Sequence, residues 1–152
     1  MTQPTKLNYI TTPFKTKGSW AAGYHTGIDY RAEVGTKVHA TKRGKVIRKG
    51  WDNSYGYYVV IQSWHYWRYI QHWYCHLSKP STVGLYQKVV AGDVVGLSGN
   101  TGNSTGPHLH YEERVKPFGY YNHIKPVLPW WKPKNPIVYK NILKRIGITQ
   151  SK

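Results

Sequence analysis

A chain of 152 residues has room for one domain and not for a second catalytic or binding module. Its lone cysteine, Cys75, excludes an intramolecular disulfide framework and a thiolate zinc cluster, so any metal must be held by His and carboxylate. Twenty-two Lys and Arg against 6 Asp and Glu, a formal charge of +16, favour a polyanionic partner such as nucleic acid, anionic lipid or acidic cell-wall polymer, with simple surface solvation as the alternative.

Seven Trp and 14 Tyr, with 15 Gly and 9 Pro, suit strands joined by turns, and an all-β domain of antiparallel sheets is expected. Residues 1–22 mix Thr, Lys, Pro and Gly without a period and read as an extended N-terminal segment laid over the domain surface. The first twenty contain no apolar run of signal-peptide length, and no later stretch approaches the roughly eighteen residues that cross a bilayer. Synthesis as a soluble, unexported chain without a transmembrane segment is therefore expected. The body of the domain is placed at 23–130. At its start His25 and Asp29 form an HxxxD pair, and Gly23, Thr26 and Gly27 favour a tight loop over a helix there.

Regular pattern begins near Gly35. Short β-branched or aromatic runs fenced by Gly and Asn predict strands at 36–40, 44–50 and 56–63, and another at 68–77. Further strands are predicted at 87–91, 94–98 and 108–115, with 99–107 as a constrained loop between the last two. The remainder, 131–152, reads as a basic tail with one short helix. Asn135 caps it, Pro136 takes the first helical position, Val138, Ile142 and Ile146 share a face, and Gly147 ends it.

Eight histidines stand in this small domain. His108 and His110 are two apart on a predicted strand, so both imidazoles face one pocket while Leu109 points away. Catalytic zinc takes three nitrogen or oxygen ligands and keeps a fourth position for water. His25, Asp29 and one of the HxH pair complete that set, and spacing does not decide which. The other, with His76, lies beside the open position, where imidazole can take a proton or steady an oxyanion. If 68–77 is a regular strand, His72 and Tyr74 share the face of His76 and line the same groove. On the same logic Cys75 points away from His76, which disfavours a Cys–His nucleophilic pair. Glu112 shares the face of His108 and His110 and reads as a support. His39, His65 and His123 read as structural.

In order along the chain, TyrHisThrGlyIleAsp at 24–29, TyrCysHisLeuSer at 74–78 and SerThrGlyProHisLeuHisTyrGlu at 104–112 resemble the lysostaphin and LytM type zinc endopeptidases. GlyThrLysValHisAla at 35–40, GlyLysVal at 44–46, TyrGlyTyrTyrValValIle at 55–61 and AlaGlyAspValValGly at 91–96 fit that family's strand and turn segments, so the resemblance covers about residues 20–115. It implies a grooved all-β fold with a duplicated hybrid motif and one Zn2+ per chain. His25, Asp29 and His110 are then the metal ligands, and His108 and His76 the catalytic histidines. The implied activity is hydrolysis of peptide bonds in the cross-links or stem peptides of bacterial peptidoglycan.

Peptidoglycan is thus the expected partner, with anionic wall polymers drawn to the basic surface, no obligatory nucleic acid, and a monomeric state. An extracellular substrate with no export signal suggests a phage-type lysin, released by another route or carried on a virion. Two features depart from the family pattern: the aromatic hairpin at 64–73, whose Trp64, Trp67 and Trp73 either stack on sugar rings or pack, and the chain after Tyr120. The rival readings are a catalytically inactive wall-binding or hydrolase-activating domain of the same fold, and a basic binder of single-stranded nucleic acid.

Overall fold

The computed structural model describes residues 1–7, 9–65 and 67–126. The helix expected at 135–147 lies outside the described residues.

Ten strands follow in chain order: β1 (Ile10–Thr12), β2 (Ile28–Arg31), β3 (Lys37–His39), β4 (Gly44–Asp52), β5 (Gly56–His65), β6 (Arg68–Leu77), β7 (Lys88–Val89), β8 (Val94–Leu97), β9 (His108–Val115) and β10 (His123–Ile124). Eight form one antiparallel sheet in the order β1-β2-β9-β6-β5-β4-β7, with β10 also on β9, while β3 and β8 pair as a small second sheet. The all-β expectation holds among the described residues. β6 and β9 have the bounds that their aromatic and β-branched content predicts, whereas β1 and β2 fall where a lead-in and a tight loop were expected. Four residues alternating apolar and polar, Ile28 to Arg31, are too short a signal to outweigh the glycines before them. Pairing with β9, eighty residues away, makes them a strand.

Because side chains alternate across a strand, the large sheet has two chemically different faces. One carries Ile28, Tyr30, Val59, Ile61, Tyr74, Leu109 and Tyr111 and packs with Val38 and Val95 of the small sheet and with Ala40, Leu77 and Val89 into the main core. Each such side chain taken out of water contributes about 1.5–3 kcal/mol. The hydroxyls of Tyr74 and Tyr111 meet Thr41 Oγ1 at 2.9 Å each, so the two buried rings keep their polar ends bonded. The other face presents Asp29, His108, His110 and Glu112, with Val60, Trp73 and Cys75 packed together beneath Tyr55, Tyr58 and Ile47.

β6 departs from regular alternation near its end. Tyr57 and Val59 of β5 face Leu77 and Tyr74 of β6, so two steps on one strand match three on the other and β6 carries one extra residue. His76 sits in this bulge with φ 57, and its N–H donates to the carbonyl of Tyr55 at 2.8 Å. The N-terminal segment is also more than a surface lead-in. Thr2 N–H donates to Thr41 O and His39 N–H to Pro4 O, both at 2.9 Å, and Arg31 N–H to Tyr9 O at 2.8 Å.

Candidate metal centre

His25 ends a loop tied down on both sides: its N–H donates to Thr16 O at 2.8 Å and Lys15 N–H to its carbonyl at 2.9 Å. Its Nδ1–H donates to Pro13 O at 3.1 Å, which leaves the Nε2 lone pair free to point inward. Four residues on, Asp29 lies on β2 directly across from His110 on β9. Gly27 between them must be glycine, because a Cβ there would run into the Tyr111 carbonyl and within 2.9 Å of the His110 ring.

His110 donates Nε2–H to Glu112 Oε1 at 2.9 Å, which turns Nδ1 toward Asp29. Glu112 is wholly buried and saturated with donors: Thr26 Oγ1, Tyr55 OH at 3.1 Å, and Arg114 through Nε at 2.8 Å and Nη2 at 2.7 Å. Arg114 is clamped in turn, its guanidinium 4.0 Å from the Trp73 ring centre and donating to Tyr55 OH at 2.8 Å. This chain of contacts sets both the ring orientation and the tautomer of His110.

Three atoms therefore converge: His25 Nε2 lies 3.0 Å from Asp29 Oδ1 and 3.0 Å from His110 Nδ1, and His110 Nδ1 lies 2.8 Å from Asp29 Oδ1. All three are electron-pair donors, and such a cluster needs a positive charge at its centre. Without a metal, a proton on His110 answers that need. Burial opposes a charge on His110, but the carboxylates of Asp29 and Glu112 on either side outweigh it and raise the imidazole pKa to about 9. Burial likewise opposes the charge of Asp29, and the hydrogen bond from His110, with the His25 ring alongside, overcomes it and holds the carboxyl far below its ordinary range. A tetrahedral zinc ion with bonds near 2.05 Å spaces its ligands by about 3.3 Å, a few tenths beyond the observed separations. The donor set fits a divalent ion, and these residues form a possible metal site.

Two more imidazoles border it. His76 Nδ1–H donates to Thr101 O at 2.7 Å and His108 Nδ1–H to Gly106 O at 2.8 Å, so each ring keeps Nε2 as its free acceptor. Their ring centres are 4.6 Å apart, His76 is 5.9 Å from the His110 ring, and His108 Nε2 is 3.7 Å from Asp29 Oδ1. Burial, aided by the charge of His110, pushes the pKa of His76 down to about 4, so its ring is neutral at ordinary pH. The loop 99–107 reaches His76 because Gly56, at φ 62, leaves no side chain in the way of Thr101.

The sequence expectation of a groove lined by His72 and Tyr74 is corrected. Both are buried on the opposite, core-facing side of the sheet, where His72 bonds Ser63 Oγ at 2.7 Å and Tyr111 OH at 2.8 Å. The bulge is the reason: it moves His76 onto the site face while His72 and Tyr74 keep the regular alternation. Cys75 does share the site face, opposite His110, contrary to the simple strand argument. It is nonetheless fully buried, and burial raises its thiol pKa well above the ordinary value. His39 and His123 bond Gly92 O at 2.8 Å and Tyr120 O at 2.7 Å, as structural residues do. Unforeseen in the sequence were Thr26, Tyr55 and Arg114. Arg114 alone left a trace, two residues beyond Glu112 on the same strand face.

The family model for peptidase family M23 matches residues 23–126. The chain is 47% identical over 92 residues to the peptidoglycan DD-endopeptidase ShyA of Vibrio cholerae, covering 60% of this chain and 20% of that protein. Among solved structures, the catalytic domain of the antimicrobial peptidase lysostaphin from Staphylococcus simulans superposes with a TM-score of 0.72 at 32% identity, covering 79% of this chain and 90% of that one. A zinc-containing peptidase from Vibrio cholerae gives 0.67 at 33% identity, covering 83% and 39%. The chain spans 20% of the length of ShyA and 20% of that of the Staphylococcus staphylolyticus lysostaphin.

Proposed function

Because the chain belongs to peptidase family M23, we propose that it is a zinc-dependent endopeptidase that hydrolyses peptide bonds in the cross-links or stem peptides of bacterial peptidoglycan. The observation that carries this reading is the convergence of His25 Nε2, Asp29 Oδ1 and His110 Nδ1 within 3.0 Å of one another, with two further imidazoles alongside. Similarity to a peptidoglycan endopeptidase and to a zinc-containing peptidase supports the substrate and the metal.

His25, Asp29 and His110 hold the ion. Bound there, zinc supplies Lewis acidity, polarising the scissile carbonyl and lowering the pKa of a water. The remaining chemistry belongs to His76 and His108. Their Nδ1 protons are engaged by the Thr101 and Gly106 carbonyls, so Nε2 is the basic atom of each. One Nε2 accepts the proton that water loses as its oxygen bonds to the carbonyl carbon. The imidazolium so formed donates to the developing oxyanion and then delivers the proton to the amine nitrogen as the C–N bond breaks. A thiol acyl-enzyme has no place in this scheme, since the only cysteine is buried and protonated.

Purified cell wall digested with the protein and analysed by mass spectrometry tests the proposal. New peptide termini are expected, absent with a chelator and restored by zinc. Intact wall in the presence of bound zinc contradicts the reading and favours a wall-binding domain without activity.

A further inference from the structure

β5 and β6 form the longest hairpin among the described residues, ten residues each, and its outer end has no role in the site described above. Cross-strand register puts Trp64 opposite Tyr69, Gln62 opposite Gln71 and Val60 opposite Trp73. These pairs lie on the face that carries His110, since Trp73 is opposite Glu112 and Cys75 opposite His110. One strip of sheet therefore runs from the metal centre to the hairpin tip. Six residues separate Cys75 from Tyr69, about 20 Å at strand rise.

The far end of this strip is aromatic and wet. Trp64 is 61% exposed, Tyr69 50% and, at the turn, Trp67 90%. Trp64 and Tyr69 meet edge to face with ring centres 4.7 Å apart, which holds the two rings in a fixed relation. Among the described residues, packing does not account for these exposed side chains. The charge around them has one sign: Lys45 and Arg48 of β4 stand opposite Gln62 and Val60 on the same face, and no Asp or Glu occurs from 62 to 71.

We propose that the Trp64–Tyr69 pair, with Trp67, is a binding platform for the polysaccharide strand of the cell wall. It rests on the endopeptidase reading, in which that strand carries the scissile peptide. Pyranose rings present apolar C–H faces that lie on aromatic rings, and the hydroxyls between them suit the Gln62 amide. The carboxylates of the attached peptides suit Lys45 and Arg48. Continuity with the metal centre makes a wall glycan the occupant of choice over nucleic acid or membrane: a strand laid along the strip brings its own peptide substituent to His76 and His108.

The test uses the zinc-loaded protein, a Trp64→Ala/Tyr69→Ala double variant and, separately, Trp67→Gly, which suits the positive φ at that position. All three side chains are exposed, so both variants should fold, as far-UV circular dichroism will verify. Binding to peptide-free glycan strands is measured by sedimentation, and cleavage is measured on a soluble stem peptide without sugar. The double variant should lose roughly tenfold in glycan affinity and cleave the soluble peptide as the parent does. Undiminished glycan affinity overturns the platform, as does stronger retention of single-stranded DNA or anionic vesicles than of glycan by the aromatic pair. Because the binding arm needs no cleavage, a protein that holds glycan but cuts nothing sinks the endopeptidase reading alone.

Discussion

At the scale of single residues, the proposed metal reading sets one proton and one metal ion in competition for the space between His110 and Asp29. Metal binding must displace the His110 Nδ1 proton, whose pKa stands at about 9. Zinc affinity measured by calorimetry should therefore rise about tenfold per pH unit between 6 and 8 and level off above 9; a flat profile would contradict the assignment of Nδ1 as a ligand atom. Stability of the metal-free protein follows from the same groups. His110 is raised above its ordinary 6.5, so its contribution is complete below that value and is lost as pH climbs through about 9. Asp29 and Glu112 are depressed below 3.8 and 4.5, so theirs is present above those values and is lost on acidification. Thermal unfolding without metal should show a maximum at about pH 5–8, and added zinc should remove the decline on the alkaline side. Glu112→Gln keeps the shape but weakens the acceptor behind His110, and roughly tenfold weaker zinc binding is expected by chelator competition.

Among the elements, β6 and β9 carry most of the site, and they differ in how plainly the sequence announces them. HisLeuHis on a strand puts two imidazoles on one face by alternation alone, and β9 does so. On β6 the same reasoning places His72, Tyr74 and His76 together, and it fails because a single left-handed residue at His76 shifts the phase. Neither glycine nor asparagine marks that bulge, so no local signal reveals it; the Tyr55 carbonyl and the Thr101 loop that hold it come from elsewhere in the chain. β2 was hidden for a related reason, its strand character coming from β9. The corrected place of His72 has a consequence for stability. His72→Ala should cost about 2–3 kcal/mol in urea unfolding, since it strands the Ser63 hydroxyl and takes the imidazole partner from the buried Glu113 carboxylate, and should leave zinc affinity unchanged. Loss of wall cleavage at full stability would instead restore its place in the groove.

For the molecule as a whole, the excess of 22 Lys and Arg over 6 Asp and Glu concerns association rather than fold. Retention on an anionic wall should weaken as salt is raised from about 0.05 to 0.5 M, over which the Debye length shrinks severalfold, while cleavage of a small soluble peptide changes little. The all-β class and the identities of His25, Asp29, His76, His108 and His110 as residues worth watching were readable from motif and spacing. Spacing offered a ligand set that left His108 and His110 undivided, and the family resemblance chose His110; what stayed hidden was how the set is held, because that depends on β2 and β9 pairing across the chain and on Pro13, Thr26, Tyr55 and Arg114 arriving behind them. The central claim is that His25, Asp29 and His110 grip one divalent ion, and anomalous scattering at the zinc edge from a crystal grown with zinc tests it most directly. A single peak about 2.0–2.2 Å from His25 Nε2, His110 Nδ1 and an Asp29 oxygen is expected; no peak there, or a peak held by other side chains, would contradict it.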